Sequence, residues 1–304
     1  MMRTHREALF LLALSMFLPI TVQFIGEESV FAFYVERMHF TKNFLHEFYR
    51  PPLFLWSALA LRELFPSLPP EFPIRIVSIF SSLLSAAISF VFAYKEFDRE
   101  RAPWIAAVVF LSTFEIQFWY GWLGYADAMF HFFCFASMAF GWIGMHTRQF
   151  RWLWAGAVAA TLGFLTKSFV AYYFFFLSVF LSGIAFRTSR IFLKPRGCGV
   201  FLFCLVSLVG WSLIQDGHGS SAAQLVRDVA IRFQQVDALD YLLHAVKILV
   251  EFFLRSAPFS FIVFWVVWRQ RKLLKDMYLR HMAMVLALGI LPFLLASKSG
   301  MRHV

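Results

Sequence analysis

Residues 74–94 read IRIVSIFSSLLSAAISFVFAY, 21 residues in which Arg75, at the second position, is the single charge. As an α-helix this run rises about 31 Å, the thickness of a bilayer's hydrocarbon core. Lys95-Glu96 follows directly, so charge returns where the span ends.

Working outward, further apolar runs of similar character predict eight more spans: Ala8 to Ile25, Trp104 to Tyr120, Ala128 to Met145, Trp152 to Thr166, Phe169 to Phe186, Cys198 to Ile214, a stretch around Pro258 to Trp268 extended backward, and His281 to Ala296. The composition agrees. Of the 304 residues 60% are hydrophobic and 15% charged, against about 45–50% and about 25% in soluble domains. The 20% aromatic content suits a lipid solvent with wet boundaries, where amphipathic rings settle. The expected fold class is therefore all-α: a polytopic membrane protein of about nine transmembrane helices, with residues 1–304 forming one membrane domain. The first run is not a signal peptide, because Gln23-Phe24-Ile25-Gly26 leads into Glu27-Glu28 and offers no small-residue cleavage site.

The net charge of +10 would raise nucleic-acid binding in a soluble chain. Counted loop by loop, with the N-terminus placed in the cytoplasm, the excess has another cause. The inner loops hold 16 basic and five acidic residues, the outer ones 12 and 13. The whole excess thus follows the positive-inside rule, and no nucleic-acid partner is expected. The cysteines, Cys134, Cys198 and Cys204, lie in or beside apolar runs and form no disulfide or metal pattern.

Two outer segments are long, residues 27–73 and 215–257, and carry amphipathic stretches too short or too charged to span, Pro52 to Phe65 and Ala222 to Val250. These are expected to lie along the outer interface.

Ionisable groups at span ends are costly and merit a functional reading. Glu27-Glu28 directly follows the first span; two adjacent carboxylates repel, which favours one as a proton acceptor, although a pair of acids also simply marks an outer helix end. In Tyr49-Arg50-Pro51-Pro52 the prolines fix an extended entry to a short helix and hold a guanidinium at the surface. Such a group forks onto phosphate, or anchors to lipid headgroups. Asp127 stands at the outer turn before the fourth span, as an acid for chemistry or as a helix cap. Lys167, in Gly163-Phe164-Leu165-Thr166-Lys167-Ser168, needs a counter-ion or water and has no acid nearby in sequence. Snorkelling is its plain alternative. Arg75 and Lys298, in Ser297-Lys298-Ser299-Gly300-Met301-Arg302-His303, share this outer face. His244, in the second outer segment, is a lone and weak metal candidate. Phosphate-loop and HExxH motifs do not occur.

In this order, these residues resemble the GT-C glycosyltransferases of the protein O-mannosyltransferase and ArnT type, which transfer a sugar from a polyprenyl phosphate at the outer membrane face. Glu27-Glu28-Ser29-Val30-Phe31-Ala32 resembles the family's acidic pair, with Glu27 at the position of the catalytic Asp. Tyr49-Arg50-Pro51-Pro52-Leu53-Phe54-Leu55-Trp56 is similar to its Glu-Lys-Pro-Pro-Leu motif, Arg75 to the Arg opening the second span, and Asp127 to the acid before a Phe-rich helix, here Phe130-His131-Phe132-Phe133. Leu165-Thr166-Lys167-Ser168 resembles Leu-Thr-Lys-Gly, and Ser297-Lys298 to Arg302-His303 resembles a Ser-Lys motif that opens a later helix.

The resemblance implies an inverting transfer from a polyprenyl-phosphate-linked sugar to a lipid, glycan or protein acceptor. It implies Glu27, Glu28 and Asp127 as catalytic residues, and Arg50, Lys167, Lys298 and Arg75 as ligands of the donor phosphate. It leaves a divalent metal open: Tyr49 stands where ArnT-like members carry a metal-holding carboxylate. It further implies a multi-pass protein of the bacterial inner membrane with its active face outward, and reads the chain as ending within a family motif, its C-terminal remainder missing. A transporter with a gating Asp and Lys, or an inactive or accessory fragment of such an enzyme, are the alternative readings.

Overall fold

The computed structural model describes residues 2–22, 26, 28–38, 51–97, 99–216 and 238–295. Among them every regular element is helical: α1 Met2–Ser15, α2 Glu28–Arg37, α3 Leu53–Leu64, α4 Glu71–Glu96, α5 Ala102–Leu111, α6 Ala126–Thr147, α7 Phe150–Thr166, α8 Val170–Ala185, α9 Pro195–Asp216, α10 Ala238–Arg255, α11 Phe259–Arg269 and α12 Met277–Leu295, with short 3-10 and π turns between.

Prolines open several of these helices. Pro103 and Pro195 sit in the first turns of α5 and α9, and Pro52, Pro70 and Pro258 cap α3, α4 and α11. At these positions the missing N–H has no helical partner to lose and the fixed φ suits the first turn.

The helix α6 is central, packing against α4, α7 and α8; α5 lies on α4, and α9 on α7. Small residues allow the close approach, as expected where lipid supplies no hydrophobic drive between helices. A Cβ on Gly156 of α7 would come within 3.1 Å of the Ser137 carbonyl oxygen and 3.2 Å of the Gly141 nitrogen, both on α6. On α4 the buried Ser81, Ser85 and Ser89 form a stripe, each hydroxyl donating to the carbonyl four residues back, at 2.7, 3.0 and 3.0 Å. Their polar atoms are thereby satisfied inside an apolar interface. Large apolar side chains remain on the outside, among them Phe80 and Leu84 of α4, Phe180 of α8 and Phe201, Leu205 and Leu213 of α9.

By length and hydropathy, α4 and α6 can each cross a membrane, and α10 with α11 can do so as a pair bent by 97°. The described residues thus contain two helices, or up to three spans, that meet this test, beside shorter apolar helices including α5 and α8; nine spans were expected. Three of the expected runs are interrupted, the first of them Ala8 to Ile25, which leaves the α-helix at Ser15 before a 3-10 turn at Leu18–Thr21. The run Trp104 to Tyr120 stops as α5 at Leu111, and past its end Gln117 Nε2 donates to the Leu111 carbonyl at 2.6 Å, satisfying a carbonyl that the helix leaves open. A π turn, Ile116–Tyr120, follows. The run through Pro258 breaks there, since proline cannot donate to continue the helix.

Candidate active site

Four of the sequence-derived candidates meet at one end of the bundle. Glu28 opens α2 and Arg75 lies in the second turn of α4. The guanidinium Nε donates to Glu28 Oε1 at 2.6 Å and Nη2 to Oε2 at 2.7 Å, a two-bond fork. Nη1 donates to the carbonyls of Ile20 at 2.7 Å and Val22 at 2.6 Å. Both side chains are wholly buried. Arg75 was expected to bind the donor phosphate. In the structure its side chain is wholly buried, and its donors tie α2 and the end of the first apolar run to α4.

Glu28 Oε1 also accepts from the Gly124 N–H at 2.9 Å, and Ser78 Oγ donates to the Tyr125 carbonyl at 3.1 Å. The segment Gly124–Asp127 is therefore pinned to the clamp from two sides. Gly124 admits no side chain, because a Cβ would fall 2.5 Å from Ile74 Cγ1 and 3.0 Å from Glu28 Oε1. Gly26, at φ +62°, is a left-handed turn whose Cβ would meet the Tyr125 hydroxyl at 2.5 Å. Tyr125 thus packs against the turn that carries the acidic pair.

Three residues after Gly124, Asp127 pairs with Lys167. Asp127 lies in the first turn of α6 and Lys167 caps the C-terminus of α7, so each charge also opposes its own helix dipole. The two helices run antiparallel in direct contact, which brings together residues 40 apart in sequence. The Phe130 ring stands 5.9 Å from Nζ, adding a cation–π contact. This is the counter-ion the lysine needed.

A third pair was not anticipated. Arg255, at the end of α10, donates from Nη1 to Glu115 Oε1 at 2.9 Å, and its Nη2 lies 3.7 Å from Glu251 Oε2. The neighbouring backbone joins in, with the Phe114 N–H donating to the Ala257 carbonyl at 3.1 Å. Tyr120, in the π turn after Glu115, has its ring 5.8 Å from His131 and 6.2 Å from Tyr125, linking this corner to the start of α6. Glu115 and Arg255 were legible only as outer-face charges; their partnership spans 140 residues and has no local signal.

Glu27, Arg50 and Lys298 lie outside the described residues. His244 sits on α10, and among the described residues no three His, Cys, Asp or Glu side chains come together as a metal would require.

The family model of dolichyl-phosphate-mannose-protein mannosyltransferases matches residues 49–213, over half of the 304 residues, and includes Arg50, Arg75, Asp127 and Lys167. No curated protein and no solved structure matches the chain. The ordered motifs, the helical membrane bundle and this match agree, and the chain belongs to the dolichyl-phosphate-mannose-protein mannosyltransferase family of GT-C glycosyltransferases.

Proposed function

We propose that this protein transfers a sugar from a polyprenyl-phosphate donor to a lipid, glycan or protein acceptor at the outer face of a bacterial inner membrane. In this reading about nine membrane passages, some by short or bent helices, hold the reacting groups at one end. The observation that carries it is the Lys167–Asp127 pair, whose side chains keep 9% and 11% of their surfaces exposed, set beside the wholly buried Glu28–Arg75 clamp through the single segment Gly124–Asp127.

The reaction needs one base and several cations. The acceptor oxygen attacks the anomeric carbon while a carboxylate takes its proton; the bond from that carbon to the phosphate oxygen breaks, and the polyprenyl phosphate leaves with the electron pair. Glu27 is the base. Glu28, with both oxygens held by Arg75 and Gly124, positions it. Lys167, joined by Arg50 and Lys298, stabilises the departing phosphate, exchanging Asp127 for the phosphate as donor binds. Asp127 then orients the acceptor or the sugar.

The test is reconstitution in proteoliposomes with polyprenyl-phosphate-mannose, following mannosylated product by mass spectrometry. Transfer is expected from the wild type and lost in Glu27→Gln. Undiminished transfer by Glu27→Gln would remove it as base, and solute flux without any transfer would favour a transporter.

A further inference from the structure

At the opposite end of α8 from Lys167 the molecule has a second feature that the transfer chemistry does not use. The helices α8 and α9 each pack on α7 and leave a groove of about 490 Å³ between them. Phe176, Val179 and Phe180 line it from α8, and Phe201, Leu202 and Leu205 from α9. Phe192, Gly197 and Cys198 carry it to the connecting loop. Gly197 is required there, since a Cβ would fall 2.3 Å from the Ile191 carbonyl oxygen.

That loop and the first turn of α9 carry Arg187, Arg190, Lys194 and Arg196, all four exposed and paired with no described carboxylate. Their surroundings offer little compensation: no Asp or Glu occurs between Asp127 and Asp216. Glu96, at this end of the bundle, is already paired with His146 at 2.9 Å, whose ring stacks on Phe186. The chain therefore presents an apolar slot that ends at a cluster of cations. An apolar ligand would leave the cations unanswered, and a free anion would leave the slot empty; one amphiphile satisfies both.

We propose that the α8–α9 groove is a binding site for an anionic glycerophospholipid, one acyl chain lying in the slot and the headgroup phosphate held by Arg190, Lys194 and Arg196. Basic loops beside membrane helices favour anionic over zwitterionic headgroups by about five-fold per cation. The cations that hold the headgroup are separate from the sugar-transfer site, because α8, 16 residues long, spans about 24 Å between Lys167 and their loop.

Native mass spectrometry of the full chain, released from bilayers of equal phosphatidylglycerol and phosphatidylcholine with matched chains, tests this. One phosphatidylglycerol is expected to be retained at least ten-fold over phosphatidylcholine. The triple variant Arg190→Gln, Lys194→Gln, Arg196→Gln is expected to lose that preference. Leu205→Trp, which narrows the slot while leaving the cations intact, is expected to lose retention. Both variants change exposed side chains, so the core is untouched. Equal retention of the two lipids, or a preference surviving in both variants, overturns the proposal. So does retention of polyprenyl phosphate in place of phosphatidylglycerol that Leu205→Trp abolishes, which would assign the slot to the donor's isoprenoid chain.

Discussion

In the Glu28–Arg75 pair both side chains are fully buried, whereas in the Asp127–Lys167 pair the lysine and aspartate side chains keep 9% and 11% of their surfaces exposed. The two pairs occupy the same end of the bundle, joined by a few residues of backbone. One uses nearly every donor and acceptor to hold chain segments together. The other makes a single ion-pair contact and keeps a small part of its surface exposed. The contrast teaches that ion pairs at one end of a helical bundle differ in how completely burial and hydrogen bonding commit them to holding the fold, and, on the proposed function, the less committed pair is the one that works on substrate.

The largest effect that tests this contrast is on stability. Arg75→Ala strands a buried carboxylate and leaves the Ile20 and Val22 carbonyls without their donor, costing about 3–5 kcal/mol. The thermal unfolding midpoint in detergent should fall by about 10 °C. Adding Glu28→Leu to Arg75→Met should restore much of the loss, because an apolar pair avoids the unpaired charge. An unchanged midpoint in Arg75→Ala would show that the clamp holds nothing.

Lys167→Ala should act on the other side of the comparison, lowering sugar transfer about 10²-fold, the usual cost of one stabilising donor, with a small change in unfolding midpoint. Lys167→Arg should retain part of the activity. A collapse of stability with proportionate loss of activity would place Lys167 with the clamp.

A smaller effect belongs to the joint between the two. Gly26→Ala puts a Cβ into a left-handed turn and against the Tyr125 hydroxyl, costing about 1–2 kcal/mol; combining it with Tyr125→Phe should recover the steric part alone, measured by the same unfolding scan. The smallest effect concerns α10. A double-mutant cycle on Arg255→Ala and Glu115→Ala should give a coupling of about 0.5–1 kcal/mol, since that pair is partly solvated, with side chains 29% and 19% exposed. A coupling several times larger would make it a second clamp.

Individual residues show how far sequence reading reaches. The helix Leu53–Leu64 falls within the short amphipathic stretch read as Pro52 to Phe65, and α4, α6, α7, α8 and α9 lie within a few residues of their apolar runs. Such helices are written locally, in proline starts and in the length of an apolar run. The interruption after Leu111 was hidden because the apolar residues on either side outweigh Ser112, Thr113 and Gln117 in the run's hydropathy, and only the tertiary structure shows the helix stopping there. Lys167 was recognisable as needing a partner, but nothing in its neighbourhood named Asp127. The different surroundings of Arg75 and Lys167 were likewise invisible, since both read as cations at outer span ends.

From its sequence alone this protein is a membrane-embedded, all-helical member of its glycosyltransferase family, because hydropathy, charge asymmetry and ordered motifs are properties of short segments and their succession. Which cation is wholly buried in a two-bond fork and which keeps some exposure was decided only by the tertiary structure. Burial and hydrogen-bond completeness depend on what the packing of α2, α4, α6 and α7 places around a charge, and residues 40 to 140 positions apart carry no record in their own sequence of meeting.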